Sequence, residues 1–335
     1  MISPKNNKIK ALAAGLMLTL ALGALGCGGD KKEAGAKAEK VNVGIVQLVE
    51  HEALDAANKG FVDGLASKGY KEGQNITFDK QNAQADQSNL QNIAHRFVNN
   101  KVDLICAIAT PAAQTVANVT SDIPIVATAV TDYKTAKLVK DDAKPGTNVT
   151  GTTDMNPVAE QLDLLLKLVP NAKTIGTIYC SSEVNSQLQV ELLKKAAAAK
   201  GITVKEATVS TVNDIQQAAR SLAGDVQAVY VPTDNVLASA IPTLISVTEE
   251  AKLPVICAEG GMVRAGGLAT LGVDYYKLGF QTGVMAADIL SGKSKPADMA
   301  IQAQKEFKPT INLKEAAKIG LKVPEDLLKG AEVIK

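Results

Sequence analysis

The side chains best suited to bind a ligand stand directly after short apolar runs of the chain. Thr110 follows the run Leu104–Ala109, and Asp234 follows Val226–Val231 after a Pro-Thr pair. A helix that begins after a buried parallel strand places its free N–H groups at the strand's carboxyl end, where open α/β sheets bind ligands. Hydroxyl, amide and carboxylate groups gathered there would bind a small zwitterion such as an amino acid.

An amino acid needs N–H and hydroxyl donors for its carboxylate and an acceptor for its ammonium group. Candidate donors are the Thr110 hydroxyl with the N–H groups of Ala112 and Ala113, and the side chains Ser182, Asn185 and Ser186. Candidate acceptors are Asp132, Asp234 and Asp274 at predicted strand–loop junctions. A desolvated ammonium–carboxylate pair is costly unless several hydrogen bonds complete it, so we expect one aspartate with neutral acceptors. The alternative for each aspartate is a helix N-cap.

The pocket for the ligand's own side chain would use Pro111, Tyr133 or Tyr275. The low aromatic content neither excludes an aromatic ligand nor argues for one. The predicted ligand-binding residues are Gln47, Thr110, Pro111, Ala112, Asp132, Ser182, Asn185, Ser186, Asp234, Asn235, Asp274 and Tyr275.

Catalytic chemistry has little support in the residue pattern. The mature chain has only His51 and His95, and the His51-Glu52 pair lacks the second histidine of a zinc-protease motif. There is no Gly-x-Ser-x-Gly elbow, no metal-ligand cluster and no Gly-rich phosphate loop. We therefore expect no enzyme activity, no catalytic residue, no metal and no cofactor.

The elements that position these residues occur twice. Asp103–Thr131 and Ala228–Glu259 each contain a short apolar run, a break with proline and threonine, a helix of small residues and a second apolar run opened by proline. Short runs rich in Val and Ile are typical of parallel strands covered on both faces. The repeat extends upstream in both copies as helix, Lys-Gly, strand, polar loop and helix. The alternative is that any two strand–helix–strand segments look alike. Two matching units in succession instead favour two similar lobes that close on a ligand.

The predicted fold class is α/β, with two Rossmann-like lobes of parallel strands, a three-crossing hinge and the ligand in the cleft between the lobes. Lobe 1 would take residues 41–150 and about 275–300, and lobe 2 residues 151–274. The segment 301–335 would cross between the lobes and dock on them. Crossings are expected near 150–155, 270–275 and 300–312, with Val149–Asp154 as the first.

The first 27 residues have the pattern of a secretory signal. Lys5, Lys8 and Lys10 precede an apolar core, Ala11–Leu25, that is too short to span a bilayer comfortably. It ends at Leu25-Gly26-Cys27, a sequence that resembles a bacterial lipobox, in which the cysteine is lipidated; an ordinary cleaved signal is the alternative. Residues 28–40 lack large apolar side chains and are predicted to be a flexible tether. We expect an extracytoplasmic protein anchored to the membrane by lipid on Cys27.

Composition excludes some partners. The formal net charge of +1 gives no reason to expect a nucleic acid or an acidic polymer. Apart from Cys27 there are three cysteines, Cys106, Cys180 and Cys257, which are interpreted as buried free thiols without a structural disulfide.

Several stretches resemble the ABC-transporter substrate-binding lipoproteins of the family that includes the tryptophan/tyrosine uptake proteins. The resemblance covers essentially the whole mature chain in order. The matching stretches are EHEALD (50–55), GFVDGLASKGY (60–70), NAQAD (82–86), DLICAIATPAAQ (103–114), IPIVATAVTD (123–132), NVTGTTDMNPVAEQL (148–162), IGTIYCSSEVNSQ (175–187), VPTDN (231–235), GVDYYKLG (272–279) and INLKEAAKIGL (311–321).

This resemblance implies a two-lobed periplasmic-binding-protein fold and delivery of a small ligand to a membrane permease. Among the candidate residues, it favours Asp234-Asn235 and Asn185. We expect a monomer that binds an aromatic or branched apolar amino acid; a binding protein that presents its closed form to a membrane receptor is the alternative. Two residues depart from the family pattern: Glu52 stands where proline is expected and Cys180 where asparagine is expected. Both flank the predicted cleft and bear on the identity of the ligand.

Overall fold

Two β-sheets flanked by helices organise residues 40–335, the part of the chain that this computed structural model describes. The predicted signal segment, Cys27 and the tether up to residue 39 lie outside the described residues. Among residues 40–335, no helix combines the length and the apolar character that a membrane span requires.

The first sheet has six parallel strands in the order β11-β5-β4-β3-β1-β2. With its helices it forms lobe 1. The strands are β1 Val41–Gln47, β2 Ile76–Asn82, β3 Leu104–Ile108, β4 Ile125–Val130, β5 Val149–Thr153 and β11 Gln302–Ala303, and the helices are α1 Glu52–Ser67, α2 Gln87–Asn99, α3 Thr110–Val119 and α10 Tyr275–Leu290.

The second sheet has seven strands in the order β13-β12-β10-β9-β8-β6-β7, and its helices complete lobe 2. All neighbours are parallel except β10 and β12, which run antiparallel. The strands are β6 Thr174–Cys180, β7 Thr203–Val209, β8 Val229–Val231, β9 Val255–Cys257, β10 Ala269–Gly272, β12 Lys308–Asn312 and β13 Glu332–Ile334. The helices are α4 Val158–Leu168, α5 Val184–Ala199, α6 Ile215–Ala223, α7 Asn235–Ser239, α8 Ile241–Glu250, α9 Gly260–Arg264 and α11 Leu313–Ile319.

The apolar runs of the sequence repeat become the central strands of the two sheets. Every residue of β3, β4, β8 and β9 is buried. Burial on both faces is the reason that such strands read as continuous apolar runs. The predicted fold class, two similar α/β lobes around a cleft, is therefore confirmed, with the antiparallel β10–β12 pair as an addition.

The chain passes between the sheets three times, at 154–157, 273–274 and 304–307. The stretch Val149–Asp154, expected to be the first crossing, instead forms β5 of the lobe 1 sheet up to Thr153. Its valine and threonine side chains are mostly buried and its backbone pairs with β4, so the crossing begins only at Asp154.

Helix α10 returns from lobe 2 and packs against α1 through glycines on both helices. A Cβ atom on Gly279 would lie 1.9 Å from the Ala57 carbonyl oxygen, and one on Gly64 would lie 2.2 Å from that of Phe280. Real side chains do not approach a backbone oxygen so closely. This contact holds α10 firmly in lobe 1.

The three described cysteines, Cys106, Cys180 and Cys257, are buried and free. Burial raises the pKa of the Cys106 and Cys257 thiols well above the ordinary value. Thiols in that environment behave as small apolar side chains.

Candidate ligand-binding cavity

A small cavity lies between the lobes at the carboxyl ends of their strands. Its volume is about 10 Å³, about the space that one water molecule needs. Both lobes contribute to its wall, which combines polar groups with apolar side chains. The lining residues are His51, Leu54, Ala129, Thr131, Asp154, Asn185, Thr233, Asp234, Asn235, Ala238, Glu259, Met262 and Tyr275.

Two strand ends of lobe 1 have unusual backbone beside this cleft. Ala109, directly after β3, has φ of 90°, and Ala129, within β4, has φ of 56°. The register of β4 against β5 shifts between Ala127 and Val130, which places Ala129 in the irregular part of the strand. Residues other than glycine rarely adopt positive φ, and such strain is concentrated at binding sites.

Asp154 is a buried carboxylate at the first crossing. It accepts hydrogen bonds from the Thr131 hydroxyl at 3.0 Å and from the Tyr275 hydroxyl at 2.7 Å. Burial raises the pKa of Asp154, and these two hydroxyls offset part of that rise. Because both hydroxyl donors are neutral, the negative charge of Asp154 has no counter-charge among its side-chain partners and would attract a ligand cation.

Asp234 lines the lobe 2 side of the cavity. Asp234 accepts hydrogen bonds from the Cys180 N–H at 2.6 Å, the Ser186 hydroxyl at 2.7 Å and the Leu237 N–H at 2.9 Å. Its carboxylate therefore caps α7 and ties it to the end of β6. Burial raises the pKa of Asp234.

Glu183 supports the same short helix from a second direction. It accepts hydrogen bonds from the Asn235 N–H at 3.1 Å, the Asn235 amide at 2.5 Å and the Asn185 amide at 2.8 Å. Burial, followed by the nearby negative charge of Asp234, raises the pKa of Glu183 to about 8. Glu183 thus orients two asparagine side chains at the cavity.

Three polar atoms at or beside the cleft lack a hydrogen-bond partner among the described residues. Asn185 Oδ1 and His51 Nδ1 belong to residues that line the cavity, and Thr110 Oγ1 lies at the start of α3. A buried polar atom without a partner is unfavourable. Of the three, only Asn185 and His51 belong to residues that line the cavity, where a ligand group would be placed to supply a partner.

Glu259 completes the cavity from the end of β9. Its carboxylate accepts hydrogen bonds from the N–H groups of Gly261, at 2.5 Å, and Met262, at 2.8 Å. Burial raises the pKa of Glu259 to about 7. It caps α9 and places Met262 at the cavity wall.

The structure brings together four of the predicted ligand-binding residues, Asn185, Asp234, Asn235 and Tyr275, at this cavity. Pro111 and Ser182 line a second, wider hollow between the lobes. Thr110 and Ala112 are buried at the start of α3, and Ser186 is buried against Asp234.

Other predicted residues have structural partners away from the cavity wall. Gln47 is buried and forms hydrogen bonds with Val49, Asp55 and Asn58, so it fixes the loop between β1 and α1. Asp132 accepts a hydrogen bond from the Thr135 N–H and Asp274 from the Lys277 N–H. Both cap a turn or a helix start, and neither lines this cavity, although Asp274 lines a neighbouring hollow with Glu259 and Tyr275. Their role as ammonium acceptors stays a prediction.

Two further expectations change. Tyr133 does not line the cavity; its hydroxyl donates within lobe 1, with the carbonyls of Ala127 at 2.8 Å and Thr152 at 3.0 Å as acceptors. Asp234 lines the cavity, but its carboxylate already has three protein donors.

The sequence reasoning missed His51, Thr131, Asp154, Glu183 and Glu259. Asp154 and Glu183 both follow a β-prone run, as the chosen aspartates do, and that signal would have identified them. Nothing in the local pattern distinguishes a carboxylate that accepts only hydroxyl donors from one that caps a helix.

Known proteins resemble the chain along most of its length. A family model described as ABC transporter substrate binding protein matches residues 42–335. A curated tyrosine-binding protein of Clostridioides difficile is 48% identical over 265 residues, which cover 79% of this chain and 76% of that protein.

Two solved structures are informative about conformation. A Streptococcus pneumonia ABC domain in complex with L-Trp is 41% identical with a TM-score of 0.85, covering 89% of this chain and 100% of that one. A ligand-free, open substrate binding protein from Clostridium difficile is 45% identical with a TM-score of 0.68, covering 88% and 99%. The more identical chain is thus the less similar in shape.

Proposed function

Because the chain belongs to the ABC transporter substrate-binding protein family, we propose that it binds an aromatic amino acid of the tyrosine or tryptophan class by closing its two lobes. The resemblance expected from the sequence motifs is confirmed by the family match over residues 42–335. Family membership also confirms that the chain is a binding protein and not an enzyme.

The observation that carries the ligand class is the environment of Asp154. A buried carboxylate that accepts from two hydroxyls and faces an inter-lobe cavity is suited to an ammonium group. The apolar wall of Leu54, Ala238 and Met262 supplies a surface for the ligand's side chain. One relative is a tyrosine-binding protein and another was solved in complex with L-Trp, and both support an aromatic ligand.

Contacts between the lobes support a closed arrangement. His51 of lobe 1 meets Asn235 of lobe 2 at 3.3 Å, and Glu52 forms an ion pair with Arg264. The higher TM-score to the L-Trp complex than to the open, ligand-free relative agrees with this. A ligand that contacts both lobes favours the closed form by its higher affinity for that form.

We further propose that the protein works outside the cytoplasm, as a monomer anchored through lipid on Cys27, and delivers its ligand to a membrane permease. The lipobox-like sequence at residues 25–27 and the polar stretch that follows it motivate the anchor. Labelling with a radioactive fatty acid in a bacterial host tests it: Cys27→Ala should abolish the label, and a retained label would contradict the proposal.

A thermal-shift screen against the proteinogenic amino acids tests the ligand class. The protein is first unfolded and refolded to remove any ligand acquired during expression. A ligand present at about 100 times its Kd stabilises the folded state by about 2.7 kcal/mol, which raises the melting temperature. We expect the largest shifts with L-tyrosine and L-tryptophan. Absence of any shift with amino acids would contradict the proposal.

A further inference from the structure

His51 makes a direct contact across the cleft, and its geometry determines which of its ring nitrogens carries the proton. His51 precedes α1 of lobe 1, and its Nε2 lies 3.3 Å from Oδ1 of Asn235 on α7 of lobe 2. A histidine nitrogen is either a donor or an acceptor in the neutral ring, so the partner decides its role.

Glu183 determines the orientation of the Asn235 side chain. The Asn235 amide nitrogen donates to a Glu183 carboxylate oxygen at 2.5 Å. The Asn235 backbone N–H donates to the same carboxyl group at 3.1 Å. The amide oxygen Oδ1 is therefore the atom that faces His51. Since a carbonyl oxygen only accepts, His51 Nε2 carries the proton and Nδ1 is the acceptor.

The second nitrogen of His51 has no partner. Nδ1 is inaccessible to solvent and makes no hydrogen bond among the described residues. His51 lines the inter-lobe cavity together with Asp154 and Asn185. A buried acceptor at a cavity wall is unfavourable until a donor occupies the cavity.

We propose that His51 Nδ1 accepts a hydrogen bond from the ammonium group of the bound amino acid in the closed form, with Glu183 as the positioning residue that acts through Asn235. This inference rests on the proposed function and assigns a ligand contact to a residue of the loop between β1 and α1. Closure and recognition are thereby joined in one side chain, because the Asn235 contact exists only when the lobes meet.

Several charged groups surround His51 and affect its protonation. Asp55 lies on its own helix, Glu183 and Asp234 lie behind Asn235, and Asp154 and Glu259 line the same cavity, as does the Tyr275 hydroxyl. Burial lowers the pKa of His51 from 6.5, and the Asn235 hydrogen bond and Asp55 oppose that change. Closure therefore favours neutral His51, and its contribution to affinity is lost as pH falls through about 6.5.

The carboxylates have the opposite effect, because burial raises the pKa of Asp154, Glu183 and Glu259. Where closure of the lobes adds to that burial, it favours the closed form at low pH. The contribution of His51 to the pH dependence of affinity is therefore obtained by comparing the affinities of the wild type and a His51 variant at each pH.

Two substitutions separate the two nitrogens of His51. His51→Gln places an amide near Nε2, retains a donor for Asn235 and removes the Nδ1 acceptor. His51→Asn places an amide oxygen near Nδ1 and removes the contact with Asn235. His95→Gln, at the other histidine of the sequence and exposed on α2, is the control.

The experiment measures, from about pH 5 to pH 8, the affinities for L-tryptophan and for indole-3-propionate, which lacks the ammonium group. We expect His51→Gln to lower the ratio of the L-tryptophan affinity to the indole-3-propionate affinity at least tenfold. Below about pH 6.5 the L-tryptophan affinity of the wild type should fall more steeply than that of His51→Gln. His51→Asn should largely keep the ratio while weakening both ligands.

Two negative results have different meanings. If the wild type binds neither L-tryptophan nor L-tyrosine, the proposed function is wrong and this inference with it. If the wild type binds and discriminates while His51→Gln has the same ratio and the same pH profile, only the assignment of Nδ1 to the ammonium group is wrong.

Discussion

The Tyr275 hydroxyl donates a hydrogen bond to the Asp154 carboxylate at 2.7 Å and so joins two of the three crossings between the lobes. Asp154 begins the first crossing, and Tyr275 follows the second at the start of α10. Both residues also line the inter-lobe cavity. A ligand that contacts Asp154 therefore acts on the hinge itself.

Replacement of Asp154 by asparagine should weaken amino-acid binding by about 2 kcal/mol or more, because the ammonium group would lose its charged partner. Titration calorimetry with L-tyrosine or L-tryptophan measures the change. Asp132→Asn, at an aspartate that caps a turn and does not line the cavity, is the matched control and should bind normally. Equal affinities of Asp154→Asn and the wild type would remove Asp154 from the site.

Replacement of Asp234 by alanine should destabilise the fold by about 1–3 kcal/mol, because the buried donors Cys180 N–H and Leu237 N–H would lose their acceptor. Urea unfolding of the ligand-free protein measures this. Asp86→Ala removes an exposed cap with one N–H partner and should cost about 1 kcal/mol or less. If stability is unchanged but ligand binding is lost, Asp234 instead accepts the ligand's ammonium group, as predicted from the sequence.

The contact between α1 and α10 predicts a strong effect of one added methyl group. Gly279→Ala should destabilise the protein by about 3 kcal/mol or more, because its Cβ would overlap the Ala57 carbonyl oxygen. Thermal unfolding measures the loss. Gly224→Ala, at a helix end with no heavy atom within 4 Å of the added Cβ, should be neutral or slightly stabilising. Equal melting temperatures of the two variants would contradict this account of the packing.

The buried carboxyl groups predict how stability depends on pH. Burial raises the pKa of Glu259 from 4.5 to about 7 and that of Glu183 from 4.5 to about 8. Between pH 4.5 and the raised pKa of each group, the folded protein holds a proton that the unfolded chain has released. The free energy of unfolding should therefore fall as pH rises from about 4.5 to 8.

Glu259→Gln tests that dependence, because glutamine does not titrate and keeps an oxygen acceptor for one of the two N–H groups, those of Gly261 and Met262. Its free energy of unfolding should decrease less steeply between about pH 4.5 and 7 than that of the wild type. Glu325→Gln, at an exposed glutamate of the C-terminal region, is the control. The same pH dependence in Glu259→Gln and the wild type would contradict the assignment.

The fold followed from patterns that are local in sequence. The apolar runs at 104–109 and 125–130 and their counterparts in lobe 2 predicted the central parallel strands, because burial on both faces demands such runs. The glycines of α1 and α10 gave no comparable signal, since their partners are more than 200 residues apart in the chain.

The site was less predictable for a physical reason. Asp132, Asp234 and Asp274 all follow strands, and each accepts backbone N–H bonds that only the folded structure reveals. Asp154 has the same sequence context but accepts from hydroxyls on distant segments. Sequence position therefore located the cleft, while the contacts of each carboxylate, with backbone N–H groups or with hydroxyls, depended on the tertiary structure.

A crystal structure of the complex with L-tyrosine or L-tryptophan, whichever gives the larger thermal shift, would show where the ligand binds and what holds its ammonium group. We expect closed lobes, the amino acid in the cavity between them and its ammonium nitrogen within hydrogen-bond distance of the Asp154 carboxylate. An ammonium group bound by another carboxylate, or a ligand bound outside this cavity, would contradict it.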